Sequence, residues 1–197
     1  MFTIFHVEEL SIAINNGMDD IRRTLTLLEA RQELQLDRLS YELGDLDPVL
    51  SRENVAAHYN KLARTYVKRY NAGEGDDDFN QAGAYLHNML FAQFQAPKSS
   101  NRPADSSLAL IESRWDSWDN FRKEFERVAM SIQGSGWIYM SRSGDIKTIR
   151  NHQIRRDIAL LIDWWEHSWY MDYGPDKAGY LNNIWRIIDW SVVNSRL

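Results

Sequence analysis

Between Met18 and Leu39 the apolar residues Met18, Ile21, Leu25, Leu28, Leu36 and Leu39 recur while Arg, Glu, Asp and Gln fill the opposite side. Spacings of three, four and eight keep one stripe of a helix apolar, so the pattern predicts a surface helix. The stretch 51–71 opens Ser51-Arg52-Glu53-Asn54, where Ser51 can cap, and carries helix formers to Asn71; the acidic, glycine-containing run Gly73–Asp78 then breaks it. A second helix over about Phe79–Phe94 would pack antiparallel on the first as a hairpin. Residues Ala96–Ser106, with Pro97, Ser99, Ser100, Asn101 and Pro103, read as a linker between halves. Beyond it the pattern predicts helices around Ser107–Ser113 and Trp118–Ile132, then strands at Trp137–Arg142, Asp145–Arg150 and Ile158–Asp163, the first two joined by a Ser143-Gly144 turn. A helix from about Tyr180 closes the chain. The organisation expected is an N-terminal extension (1–38), a helical-hairpin half (39–97) and a mixed α/β half (98–197).

Composition narrows the chemistry. At 197 residues, 44% hydrophobic and 12% aromatic, the chain can bury one good core, or two small domains sharing one. It has no cysteine, so disulfides and thiolate ligands are excluded and any metal must take nitrogen and oxygen donors. A formal net charge of −5 argues against general nucleic-acid binding, and no run approaches a membrane span or a signal-peptide pattern. The expectation is a cytoplasmic protein with neither nucleic acid nor membrane as partner.

Residues 158–173, IALLIDWWEHSWYMDY, hold the densest information. An apolar run ends on Asp163, and His167 follows four residues later. An aspartate leaving a buried strand, with a histidine one turn on, can place a carboxylate oxygen and an imidazole nitrogen around one cation. The alternative is a chance D-x-x-x-H in an aromatic core segment.

From Asp163 the chain reads D-W-W-E-H-S-W-Y-M-D-Y, which resembles the D-x-W-E-H-x-Y-Y-x-D-Y signature of the iron/manganese superoxide dismutases, with Gly179-Tyr180 and Trp185 following as in that family. Gly134-Ser135-Gly136-Trp137 resembles its G-S-G-W, and Trp115-Asp116-Ser117-Trp118 stands where it usually has F-G-S-F. Leu46-Asp47-Pro48-Val49-Leu50-Ser51 is similar to its L-x-P-x-I-S, and His58-Tyr59-Asn60-Lys61 with Tyr66 and Asn71 follows its first ligand helix. The likeness runs from about Leu39 to the C-terminus. It implies an α+β fold, with a helical hairpin followed by a mixed half holding a three-stranded antiparallel sheet. It also implies one iron or manganese ion, with superoxide as substrate.

By the same resemblance His58, Asp163 and His167 fill three of the family's four ligand positions. The remaining ligand lies in an N-H-x-x-[FY] context, and the corresponding residues here are His87-Asn88-Met89-Leu90-Phe91. Register taken from Leu90-Phe91 and Ala96-Pro97 puts Asn88 where the histidine should be. A one-residue displacement turns a helical side chain by about 100° and moves it about 1.5 Å along the axis. Three outcomes stay open: a π-type bulge that rotates His87 inward, weak binding by the Asn88 amide oxygen, or no protein ligand there. An interhelical hydrogen bond is the ordinary alternative for His87.

Other positions carry roles the resemblance implies. His152 falls where many members place a glutamine that hydrogen-bonds metal-bound solvent, and would tune the metal; otherwise it is a loop histidine among arginines. Tyr66 matches the tyrosine lining the substrate mouth, or is an ordinary packed tyrosine. Trp137 and Trp165 match tryptophans that wall the site, and Lys61 could draw an anion inward. Glu166 and Tyr170 match residues of the family's dimer seam, although the histidine that normally meets the tyrosine is Leu62 here. Two readings follow. One is a superoxide dismutase, a homodimer joined through Glu166 and Tyr170. The other, prompted by the displaced histidine and the extension Met1–Arg38, is a fold kept as a structural component of a virion or ribosome-like particle, without metal.

Overall fold

Ser51 starts the first helix as its sequence suggests: its hydroxyl accepts from the Asn54 amide at 3.2 Å. The structure, a computed structural model, describes Met18 and residues 32–197. Helix α1, Arg52–Ala56, runs directly into a π-helix, Ala57–Ala63, and α2, Arg64–Ala72, continues it. Gly73 ends this run at φ 66°, a left-handed conformation that a side chain would strain. Helix α3, Asp77–Ala92, is capped by the Asp76 carboxylate, which accepts from the Phe79 amide at 2.9 Å, and it packs along α2 as the expected hairpin.

After the linker come α4, Asp105–Trp115, and α5, Trp118–Ser131, the latter capped by Ser117. Strands β1, Gly136–Ser141, β2, Ile146–Arg150, and β3, Ile158–Asp163, form one antiparallel sheet in the order β2-β1-β3. Every residue of β1 and β3 is buried, whereas Ile149 alone is buried in β2. The fold is α+β, as the motifs implied. In the register of β1 with β3, Trp137 stands opposite Asp163, so the first aromatic of one strand meets the last residue of the other. Beyond β3 lie a 3₁₀ turn, Glu166–Ser168, then α6, Tyr170–Tyr173, α7, Lys177–Ile184, and α8, Trp190–Ser195.

Two polar clamps set the elements that matter later. Gln93, just past α3 and fully buried, pairs with the Leu161 backbone in β3, its amide donating to the carbonyl and its oxygen accepting from the N–H. Arg196 crosses the same seam, donating to the Met89 carbonyl at 2.7 Å, to Gln93 Oε1 at 3.0 Å and to the Ala159 carbonyl at 3.2 Å. Burial with no carboxylate partner among these groups draws its pKa down to about 10. At the other end Asp172 accepts from the Ser51 amide and the Asn54 side chain, and the Tyr173 hydroxyl donates to the Val49 carbonyl.

Residues 32–39 correct one expectation, because they are not helical. The Asn71 side chain pairs with the Leu34 backbone, donating at 2.9 Å and accepting at 2.9 Å. Asn88 accepts from the Asp37 amide and donates to the Gln35 carbonyl, both at 3.0 Å. Side-chain amides thus satisfy backbone groups of this irregular segment in place of helical hydrogen bonds, which the apolar spacing alone could not reveal. The rest of the expected helix, and most of the extension, lies outside the described residues.

Candidate metal centre

Four elements deliver one side chain each to a single point. His58 comes from the π-helix, His87 from α3, Asp163 from the last position of β3 and His167 from the 3₁₀ turn. The three imidazole Nε2 atoms face one carboxylate oxygen: Asp163 Oδ2 is 3.3 Å from His58, 3.8 Å from His87 and 3.2 Å from His167. One donor atom from each of the four lies within 4.8 Å of every other. Metal bonds of about 2.0–2.2 Å set donors about 3–4.4 Å apart, so the cluster needs only a small contraction to hold one ion.

Hydrogen bonds fix which atoms are free to bind. A carbonyl can only accept, so His87 Nδ1 must carry the hydrogen it donates to Gly83 at 2.6 Å. The lone pair of His87 is thereby left on Nε2, as in a metal-ligating histidine. The Nε2 atoms of His58 and His87 are buried and have no hydrogen-bond partner among the described residues. A buried polar atom without a partner costs roughly 1–3 kcal/mol, which gives each nitrogen a reason to take a ligand. Asp163 Oδ1 accepts from the Trp165 amide at 2.8 Å, which leaves Oδ2 to the histidines. Three nitrogens and one carboxylate oxygen are a donor set suited to iron or manganese.

The electrostatics agree with this division. Burial pushes the pKa of His87 well below the usual histidine value, with His58 beside it adding to the fall, and burial lowers that of His58 too. Burial alone would raise Asp163, but the His167 and His58 rings outweigh it and hold the carboxyl well below its usual range. Neutral imidazoles around a carboxylate are the forms that bind a cation without first losing protons.

The register read from the sequence around the hairpin's far helix is not the one the structure adopts. His87 is fully buried and faces the other three residues, while Asn88 is turned to the 34–37 segment that it clamps. No bulge in α3 is needed. The π geometry lies instead in the first helix, around His58. Among the described residues His87 makes no interhelical hydrogen bond; its Nδ1 bond is to its own helix.

His152 lies beside the cluster, its ring centroid 5.9 Å from that of His87 and stacked on Trp165 at 4.6 Å and 14°. Asn151, at φ 54°, turns the chain so that the ring goes inward, and it is 6% exposed. It is therefore no solvated loop residue, and burial pulls its pKa down to about 4. Trp137 packs edge-on to His87 at 5.1 Å. Tyr66 lies over His87 at 5.3 Å and against His152 at 4.9 Å, its hydroxyl pushed up to about 12, mainly by burial and then by Asp163. A cavity of ≈ 770 Å³ leads in from the surface, lined by Lys61, Leu62, Tyr66, Arg69, His167 and Tyr170 among others. Glu166 and Tyr170 are exposed.

Sequence reading missed Gly83 and used Phe91 only to set a register. Gly83 supplies the carbonyl that orients His87, and a Cβ there would meet the Tyr66 ring at 2.8–3.0 Å. Phe91 packs edge-on to His58 at 5.0 Å. Both lie four positions from His87, so the periodicity of the buried face would have found them.

Comparisons with known proteins agree. The family model for the alpha-hairpin domain of iron/manganese superoxide dismutases matches residues 33–88, and that for their C-terminal domain matches residues 103–196. The chain is 31% identical over 190 residues to an iron superoxide dismutase of Bacteroides fragilis, covering 83% of this chain and 98% of that protein. It is 30% identical over 189 residues to a manganese/iron superoxide dismutase of Porphyromonas gingivalis, covering 82% and 98%. To a mitochondrial manganese superoxide dismutase of Schizosaccharomyces pombe it is 30% identical over 207 residues, covering 92% and 95%. With a helical hairpin, a three-stranded sheet and a converging His/His/Asp/His set behind these matches, the chain belongs to the iron/manganese superoxide dismutase family.

Proposed function

We infer that the protein is a superoxide dismutase in which His58, His87, Asp163 and His167 hold one iron or manganese ion. The observation that carries this reading is the approach of three imidazole Nε2 atoms to Asp163 Oδ2, two of those nitrogens being buried and unpartnered. Such an ion would supply one-electron exchange, by which two superoxides and two protons become dioxygen and hydrogen peroxide.

The remaining residues bind, shield and supply protons. Asp163 contributes the negative charge that offsets the cation, and the Gly83 and Trp165 backbones hold His87 and the carboxylate in place. Trp137 and Trp165 wall the centre with rigid apolar surface, which keeps bulk water from it. His152 tunes the centre by hydrogen bonding. The Tyr66 hydroxyl has no hydrogen-bond partner among the described residues, faces the cavity, and is placed to donate to a small oxygen species there. Lys61 and Arg69 give the cavity wall positive charge that favours an incoming anion.

A homodimer formed through the face bearing Glu166 and Tyr170 is part of this proposal, since both are exposed and Tyr170 lines the cavity with Leu62 and Met171. So is a cytoplasmic setting, which the acidic, cysteine-free composition suits. The scaffold reading has lost its main motive, because His87 occupies the place it supposed vacant; its other motive, the extension, falls almost wholly outside the described residues. The test is to purify the protein, measure iron and manganese per chain, and assay superoxide disproportionation. Stoichiometric metal with activity is expected; absence of both would refute the enzyme.

A further inference from the structure

Another cavity, of ≈ 260 Å³, opens between the linker, the start of α5 and the turn that follows α7. It shares no residue with the cavity that leads to the four-residue cluster. Arg102, Arg122 and Arg186 line it, one from each wall, and Asp119 is the carboxylate among its described lining residues. In a chain of net charge −5, three guanidiniums around one small space are a local excess of positive charge. Glu126 answers part of it from outside the lining, accepting from Arg122 Nε at 2.7 Å.

The walls are fixed by bonds that leave the cavity's own donors uncommitted. Asn101 donates to the Trp185 carbonyl at 2.8 Å and to the Ile188 carbonyl at 2.6 Å, and the Lys98 amide donates to the Arg186 carbonyl at 3.0 Å. The linker is thus strapped along the turn after α7, carrying Ser99, Ser100 and Arg102 to the lining. Arg122 Nη2 donates to Asn182 Oδ1 at 3.0 Å and ties α5 to α7, while Trp118 and Trp185 meet edge-on at 5.1 Å as a buried floor. Against this frame Arg102 and the hydroxyls of Ser99 and Ser100 have no hydrogen bond or ion pair among the described residues. Arg122 keeps Nη1, and Arg186 keeps Nε and Nη2, its Nη1 donating to Asn183 at 3.2 Å.

We propose that this cavity binds a small phosphate monoester bearing hydroxyl groups, with the phosphate taken by Arg102, Arg122 and Arg186 and a hydroxyl taken by Asp119. A planar guanidinium offers paired N–H groups that match two phosphate oxygens at once, and the serine hydroxyls add donors for the rest. The first turn of α5, where Trp118 and Asp119 line the cavity, adds the positive end of a helix of 14 residues. Asp119 sets the ligand class. An ionised carboxylate can only accept, so it repels a bare oxyanion but hydrogen-bonds a hydroxyl on the same molecule. The volume admits a short polyol phosphate and little more. None of this depends on the four-residue cluster holding a metal.

The test is isothermal titration calorimetry of the full-length protein as purified, with glycerol 3-phosphate and inorganic phosphate as probes and sodium chloride holding ionic strength constant. One saturable site per chain is expected for glycerol 3-phosphate, with inorganic phosphate bound more weakly. Arg102→Gln should weaken glycerol 3-phosphate binding by about tenfold or more, the loss of a charge-assisted hydrogen bond. Arg102 is exposed and unpaired among the described residues, so its replacement leaves the fold intact, which urea denaturation checks. Arg69→Gln, in the cavity beside the cluster, should leave the affinity unchanged. Absence of saturable binding, or equal affinity in Arg102→Gln, would overturn the proposal. So would a loss in Arg69→Gln alone, which would move the anion to the other cavity. Inorganic phosphate binding as tightly as glycerol 3-phosphate would overturn the assigned ligand class. Metal content and dismutation of the same samples decide the enzyme separately.

Discussion

His58 Nε2 stands 3.3 Å from Asp163 Oδ2, an imidazole from a π-turn against a carboxylate from a strand end, both shut off from solvent. Burial holds the imidazole below its usual pKa against the pull of the carboxylate, while the His167 and His58 rings hold the Asp163 carboxyl low. A site left in such a state makes sense as one shaped for a cation.

The exchange His87→Asn with Asn88→His should abolish metal binding. It removes the nitrogen nearest Gly83 and puts an imidazole on the face that clamps residues 35 and 37. Asn88→Ala should keep its metal and lose about 1–2 kcal/mol of stability with the clamp. Metal analysis and urea denaturation read the two effects; full metal content in the exchanged variant would show the assigned register to be wrong.

Gly83→Ala should destabilise the fold by about 1–3 kcal/mol, since the new methyl would press on the Tyr66 ring from 2.8 Å and both partners sit on packed helices. Urea denaturation measures it. A neutral result would mean that the two helices of the hairpin separate more easily than their packing suggests.

Tyr66→Phe should leave stability within about 0.5 kcal/mol, because the hydroxyl makes no hydrogen bond among the described residues. Dismutation should nevertheless fall, by about tenfold or more, if the phenol supplies protons at the cavity. Equal activity in the variant would leave Tyr66 as packing alone.

Acid should weaken the metal-free chain in a defined window. His152 has its pKa held down at about 4 when folded, against about 6.5 unfolded, so between these values the unfolded chain binds more protons. Stability is full above about pH 6.5 and falls as pH drops towards 4, by up to about 3 kcal/mol from this group. His58 and His87 shift in the same direction and deepen the fall. Asp163, held low, keeps its contribution until the medium is more acidic still. Denaturation midpoints that do not change from pH 7 to 5 would contradict this.

Much of this was legible in the residues. The cap at Ser51, the breaker after Asn71 and the apolar run ending at Asp163 each act locally, and each element they announce is present. The register of His87 was misread because it was anchored on Leu90-Phe91 and Ala96-Pro97: the second pair lies beyond the helix end at Ala92, where a loop absorbs an extra residue, and the first imposed a spacing of three where this helix sets His87 and Phe91 four apart on one buried face. The better guide was the buried face of the helix itself. Asn80, Gly83, Ala84, His87, Leu90 and Phe91 recur at three and four, and Asn88 falls off that stripe. The π-helix at His58 and the irregular path of residues 32–39 had no such local signal, since both depend on contacts made far along the chain.

Anomalous X-ray scattering from crystals of the purified protein, recorded across the iron and manganese absorption edges, tests the central claim most directly. One peak per chain is expected, within about 2.2 Å of His58, His87 and His167 Nε2 and Asp163 Oδ2. A peak elsewhere, or none in protein grown with both metals supplied, would contradict it.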